Sequence, residues 1–289
     1  ISSILRWEPY LRFKRNIKLN WVYYNSSFDQ KAFKERAKQL EVDTADFLSP
    51  EALRKQIDLS KEDGRLIIQL KYKGKTTFLR TFEDSDFWAK EPEIAAALKR
   101  LMVTPPKIVF ATDGYQRSVE KIGDRDYKLF FNVKTARSSL INQGFDIDSV
   151  SIENSEIPKG IATLVIGDPK VAFSSNALAK LQKYIAEGGN LLIAGEPGKQ
   201  SVLNPLLDTL GVKMLNGTLV QRSRDYSYDL VTPKLTDGAL IMDPGLIGFY
   251  KNKDVVTMPG AAALRDERKG VFTIQPLLMT DAQRSWIKQ

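Results

Sequence analysis

The period of apolar positions changes several times along this chain, and each change marks an element. From Ile17 to Tyr24 (IKLNWVYY) apolar and polar side chains alternate, which predicts a half-buried strand. After the turn residues Asn25-Ser26-Ser27, Ala32, Phe33, Ala37 and Leu40 are spaced for one face of a helix within DQKAFKERAKQLEV. Ser49 and Pro50 form an N-cap and a first helical position, so a second helix is expected from Pro50 to Ile57. Arg65 to Tyr72 and Thr76 to Phe82 read as strands joined by a hairpin at Lys73-Gly74-Lys75. Ile94, Ala97, Leu98 and Leu101 then lie on one side of a helix from Pro92 to Met102. This order of elements predicts a small α+β domain with a thioredoxin-like layout.

Thr104-Pro105-Pro106 stops that helix and stiffens the connection, so a boundary is placed there, with domains at 1–104 and 105–289. Lys107 to Ala111 (KIVFA) begins a new buried strand. A helix from Lys134 to Asn142, ended by Gly144, and a strand from Phe145 to Ser151 follow. The run from Ile161 to Pro197 is a buried strand, a Pro-broken loop, a helix ended by Gly188-Gly189 and a second buried strand. Two such strands around one helix lie parallel through a crossover, so the second domain is predicted to be a doubly wound α/β fold. Beyond it, Val202 to Leu210 reads as a short helix, with strands at Leu215 to Arg222, Val255 to Met258 and Val271 to Gln275.

Composition narrows the chemistry. The chain has no cysteine and no histidine. That excludes disulfides, thiolate nucleophiles, Ser-His-Asp triads and His- or Cys-ligated zinc, so no catalytic residue, metal site or cofactor is assigned. No apolar stretch reaches 18 residues, so no membrane span is read. The chain opens at Ile1 without methionine and closes at Gln289, and both ends read as cut from something longer. The formal charge of +8 is concentrated near the start, where Arg6, Arg12, Lys14, Arg15 and Lys18 fall within 13 residues. Such a cluster suits anionic headgroups or phosphates, and equally a solvated terminus.

Candidate chemistry gathers at the predicted strand ends. Asp113, Asp168 and Glu196 each follow a strand, and in a doubly wound sheet those loops converge on the ligand crevice. Three acids there can bind a cation or a hydroxyl, or run acid–base chemistry; Asp at turns is also expected on conformational grounds alone. GEPGKQS (Gly195 to Ser201) follows a strand as a phosphate loop does, but its glycines are three apart and Gln200 separates Lys199 from Ser201. A helix-leading turn accounts for it better. Aromatic and basic residues interleave in Trp7 to Arg15 and Arg222 to Asp229, but acids are mixed into both, so nucleic acid is disfavoured against protein or membrane contact. Asn25-Ser26-Ser27 and Asn216-Gly217-Thr218 match the N-glycosylation triplet and serve equally as turns.

IPKGIATLVIGDPKVAFSSNALAKLQKYIAEGGNLLIAGEP resembles the characteristic run of the ABC-transporter auxiliary domain family, which includes GldG-type proteins of gliding motility. KIVFATDGYQ, SSLINQGFDIDSV, VVTMPGAAAL and FTIQPLLMTDAQRSW are similar to further family segments in the same order. The resemblance implies a second domain similar to the class I glutamine-amidotransferase-like (flavodoxin-like) fold without its catalytic cysteine. It further implies a non-catalytic, periplasmic domain at the inner membrane, held by flanking helices and working with ABC permease and ATPase subunits. A ligand or partner would then meet the crevice of Asp113, Gly114, Tyr115, Gln116 and Arg117, of Asp168, Pro169 and Lys170, and of Glu196, Pro197 and Lys199. Relatives carry Gly-His-Gly-Glu where this chain has Asp113-Gly114-Tyr115-Gln116, so any role of that histidine is in doubt here. Two other readings stay open: a hydrolase or sugar-modifying enzyme using Asp113, Asp168 or Glu196, and a structural interaction module like the intraflagellar-transport relatives of the fold.

Overall fold

The computed structural model describes residues 23–24, 30–39, 41, 43, 45, 47–62, 66–123, 126–267 and 272–289. The basic start, the aromatic-basic stretch from Trp7 to Arg15, most of the strand expected at 17–24 and the Asn25-Ser26-Ser27 turn lie outside them. The chain divides into two compact units: Ile1–Pro106 with Tyr127–Asp146, and Lys107–Asp126 with Ile147–Gln289.

In the first unit, β1 (Tyr23–Tyr24) and β2 (Phe47–Leu48) pair in parallel, and between them runs α1 (Gln30–Gln39). The next helix, α2 (Pro50–Arg54), starts where Ser49 Oγ accepts the Ala52 amide at 3.2 Å, and it ends earlier than the expected Ile57. An antiparallel hairpin follows, β3 (Ile67–Tyr72) on β4 (Lys75–Arg80), with Tyr72 opposite Lys75. Its turn is the two residues Lys73 and Gly74, at φ 47° and 78°, the left-handed pair that matches strand twist. Against the hairpin lies α3 (Glu91–Met102), whose Ile94, Ala97 and Leu101 are buried with Leu70, Leu79 and Phe82. Each of the Ile, Leu and Phe side chains contributes roughly 1.5–3 kcal/mol when fully buried.

The helix expected at 134–142 does not form. A single turn, α4 (Lys128–Phe131), precedes it, and only Leu140–Asn142 close a 3-10 turn. The Asn142 side-chain amide donates to the carbonyls of Val133, Lys134 and Ala136, at 3.3, 3.0 and 2.9 Å. Those carbonyls would otherwise accept along a helix, so a local side-chain bond has displaced the backbone ladder.

The second unit is built on a four-stranded parallel sheet of β5 (Lys107–Ala111), β6 (Asp146–Val150), β7 (Thr163–Gly167) and β8 (Leu191–Ala194), in the order β6-β5-β7-β8. The first residue of β6, Asp146, is counted with the first unit. Between β7 and β8 runs α5 (Ser175–Ala186), capped by Ser174 Oγ, which accepts the Ala177 amide at 3.1 Å. It buries Ala177, Leu181 and Ile185 against Val109, Leu164 and Ile166 of the strands. Gly188 takes φ 82° just past the helix, and a Cβ on Gly189 would sit 2.3 Å from the Tyr184 ring, so the Gly-Gly pair is required twice over.

After β8, α6 (Gln200–Leu207) leads into short antiparallel pairings. β9 (Val212–Met214) comes next, and the strand expected at 215–222 forms only as β10 (Thr218–Gln221), which starts just after Gly217 at φ 92°. Among the described residues of 271–275 no strand forms; β10 instead pairs with Ser285–Lys288. Among the described residues, no helix is long and apolar enough to cross a membrane.

Candidate functional site

Strand order locates the site. From β5 the chain passes to β6 on one side and later to β7 on the other, so the connections diverge at the C-terminal ends of β5 and β7. In open α/β sheets this switch point is where a crevice forms. The loop 113–117, the turn 168–170 and the turn 196–199 are all anchored there.

Asp168 sits at the bottom. It is 1% exposed, and its amide donates to Ala194 O at 2.8 Å, tying the end of β7 to the end of β8. Its φ is 56°, and the next residue is Pro169. Aspartate tolerates the left-handed region better than most residues, but a following proline disfavours it, so this turn stores on the order of 1–3 kcal/mol of strain. Neighbouring bonds hold it: Gln116 Oε1 accepts the Gly167 amide at 2.7 Å, and the Arg117 amide donates to Gly167 O at 2.8 Å.

Four charges meet above this floor. Arg117 Nε donates to Asp168 Oδ2 at 3.1 Å, and its guanidinium also bonds Glu196 Oε1. Lys170 Nζ bonds the same Asp168 Oδ2 and reaches Glu196 Oε2 at 3.1 Å. Burial works against the Lys170 ammonium, but its bonds to Asp168 and Glu196 outweigh that and hold its pKa above the ordinary lysine value. Both cations thus serve one buried carboxylate and one that is 31% exposed. Asp168 Oδ1 is buried and has no hydrogen-bond partner among the described residues. Lys199 Nζ caps the arrangement by donating to Lys170 O at 3.3 Å.

The expected residues separate into groups. Asp168 and Glu196 come together, bridged by Arg117 and Lys170. Asp113 turns away from them: its carboxylate accepts Ser151 Oγ at 2.6 Å and the Ile152 and Glu153 amides at 2.5 and 3.3 Å, closing the loop after β6. Gly114 is required by its φ of 70° and by Val171 O, which would lie 2.9 Å from any Cβ. Gln116 braces the loop, donating to Asp113 O at 2.9 Å. Tyr115 is 82% exposed at φ 55° and projects from the rim. Pro169 and Pro197 follow the two acids and fix the backbone of each turn.

An acid–base pair needs two carboxyl groups facing each other across a substrate cleft. Here one carboxylate is spent on a loop and two are spent on shared cations. Among the described residues no group of three acidic side chains is placed to hold a metal ion. The segment 195–201 forms a turn with Gly198 at φ 83°, and then the helix. Arg117 and Lys170 were expected as charged tips facing a ligand; their pairing with Asp168 and Glu196 was missed, and the two-residue spacing from Asp168 to Lys170 was the available signal.

A second cluster escaped the sequence reading altogether. In the first unit, Arg137 Nε donates to Asp84 Oδ2 at 2.7 Å, Nη1 to Glu93 Oε2 at 2.5 Å and Nη2 to the carbonyls of Asp86, at 2.5 Å, and Trp88, at 3.2 Å. Its guanidinium lies 4.3 Å from the centre of the Phe82 ring. The signal was Glu93, a charged residue on the apolar face of a helix.

The family model described as an ABC-type uncharacterized transport system matches residues 105–286. A solved structure titled "mmIFT52 N-terminal domain" is similar at 18% identity, covering 62% of this chain and 75% of that one, with a TM-score of 0.40. A likeness of that size carries no argument about fold or function. Among curated proteins, none matches the chain.

Proposed function

The chain belongs to the ABC-type uncharacterized transport system family, and on that premise we propose that it is a non-catalytic, extracytoplasmic auxiliary domain that binds a ligand or partner for an ABC exporter. The observation that carries the non-catalytic part is the neutralised switch point, where Asp168 and Glu196 are both engaged by Arg117 and Lys170. With no histidine or cysteine in the chain, no Ser-His or Cys-His nucleophile–base pair can form. In this reading the first domain (1–104) is thioredoxin-like and the second (105–289) is an amidotransferase-like scaffold kept for assembly. Its first four strands take the sequence-order positions 2-1-3-4 of the flavodoxin-like sheet, which supports that relationship. The likeness of its ordered motifs to GldG-type proteins supports a periplasmic place at the inner membrane, beside permease and ATPase subunits and held by flanking helices.

The test is cellular. Expressed from its full gene with an affinity tag on the domain, the protein is expected in the membrane fraction, cleaved by protease added to spheroplasts, and recovered with a permease and an ATPase. Protection from external protease, or recovery without any transporter subunit, would falsify this reading.

A further inference from the structure

Glu196 occupies a position that suits a ligand. Arg117 and Lys170 form a two-cation pair whose first negative partner, Asp168, is a fixed part of the floor: 1% exposed, bonded through its backbone to Ala194 and held in a strained turn. The second negative partner is of another kind. Glu196 is 31% exposed and lies in the short turn 196–199, whose geometry depends on Gly198 at φ 83°. Its two oxygens take one cation each, Oε1 from Arg117 and Oε2 from Lys170, which is how a bound carboxylate would divide itself. Asp168 and Glu196 are both shared by the two cations, and of the two carboxylates only Glu196 reaches solvent.

The geometry points to a carboxylate-binding site at the Arg117–Lys170 pair, occupied by the chain's own Glu196 until an external carboxylate displaces it. This rests on the reading of the switch point as a binding crevice and gives that crevice its ligand chemistry. A free small carboxylate and an acidic side chain of a partner protein present the same group. Competition from an intramolecular carboxylate lowers the apparent affinity by the fraction of time the site is closed, so freeing the site raises affinity without any new contact.

Titration of the isotopically labelled chain with succinate, and separately with a hexaglutamate peptide, followed by amide shifts at Gly167 and Asp168, tests this directly. Glu196→Gln is expected to bind one or both probes about tenfold more tightly than the wild type. Lys170→Gln placed in the Glu196→Gln background is expected to remove that gain, and the neutral succinamide should not bind. A gain for succinate assigns a small ligand; a gain for the peptide alone assigns a protein partner. Equal affinity in the wild type and Glu196→Gln, or a gain that survives Lys170→Gln, overturns the inference. If the site fails while the tagged protein still copurifies with a permease, the transport reading stands; saturable binding without a transporter would do the reverse.

Discussion

Two arginine clusters, one in each unit, use the same side chains to opposite ends. Arg137 in the first unit gives its donors to Asp84, Glu93 and the carbonyls of Asp86 and Trp88, and its flat face to Phe82. One of its carboxylates, Glu93, is 4% exposed and also accepts the Lys90 amide at 2.8 Å, capping α3. These contacts tie the loop at Arg137 to the loop 82–88 and to α3, and the partner on α3, Glu93, cannot leave without breaking a buried ion pair. Arg117 in the second unit shares its carboxylates with Lys170, and one of them is a partly exposed glutamate at a turn. What distinguishes a fastening from a site is whether one partner is free to be replaced.

The largest effect expected from this contrast is at Glu93. Glu93→Ala removes the cap on the Lys90 amide and the buried partner of Arg137, leaving Asp84 as its remaining carboxylate, so a loss of about 3 kcal/mol is expected in urea unfolding. A loss below about 1 kcal/mol would make the Arg137 cluster as dispensable as a surface pair. Asp168→Asn comes next, at about 2 kcal/mol, because asparagine keeps the tolerance for positive φ but weakens the bonds to both cations. If this variant were as stable as the wild type, Asp168 would not be the fixed floor on which the second cluster depends. Glu196→Gln is expected to cost less than about 1 kcal/mol, as a partly solvated pair should.

The smallest effects are those of pH, and they run in opposite directions for the two clusters. Lys170 has its pKa raised above 10.5, so its contribution is fully present below that value and is lost as pH rises through the folded-state pKa. The alkaline decline carried by this residue is the difference between the wild type and Lys170→Met in thermal unfolding, and identical curves would remove the pairing. Asp84 is lowered from 3.8, chiefly by its hydrogen bond to Arg137, so its contribution is present above 3.8 and is lost as pH falls through the folded-state value. Asp84→Asn should flatten that acid decline.

Much of the sheet was legible because burial is written into composition. Past Lys107 and Thr163, KIVFA and TLVIG are apolar and buried, as central strands covered on both faces must be. LLIA is apolar too although it is the edge strand and Leu192 is exposed, and Gly188-Gly189 marks the end of α5 without ambiguity. The 134–142 segment misled because its apolar spacing is weak and its fate was decided by one side chain, Asn142, reaching back to three carbonyls. At the site, position was legible and partnership was not. Asp113, Asp168 and Glu196 all follow strands, yet Asp113 serves the loop after β6 and the other two serve cations.

The sequence by itself determined the buried strands of the sheet and the helix between β7 and β8, the glycines that end and bend them, and the absence of imidazole and thiol chemistry. These are local or compositional properties, set by side-chain period, backbone freedom and functional-group inventory. Only the tertiary structure decided that Arg117, Lys170, Asp168 and Glu196 form one charge network. Their pairing spans 79 residues between Arg117 and Glu196 and depends on strand order at the switch point, which no local pattern encodes.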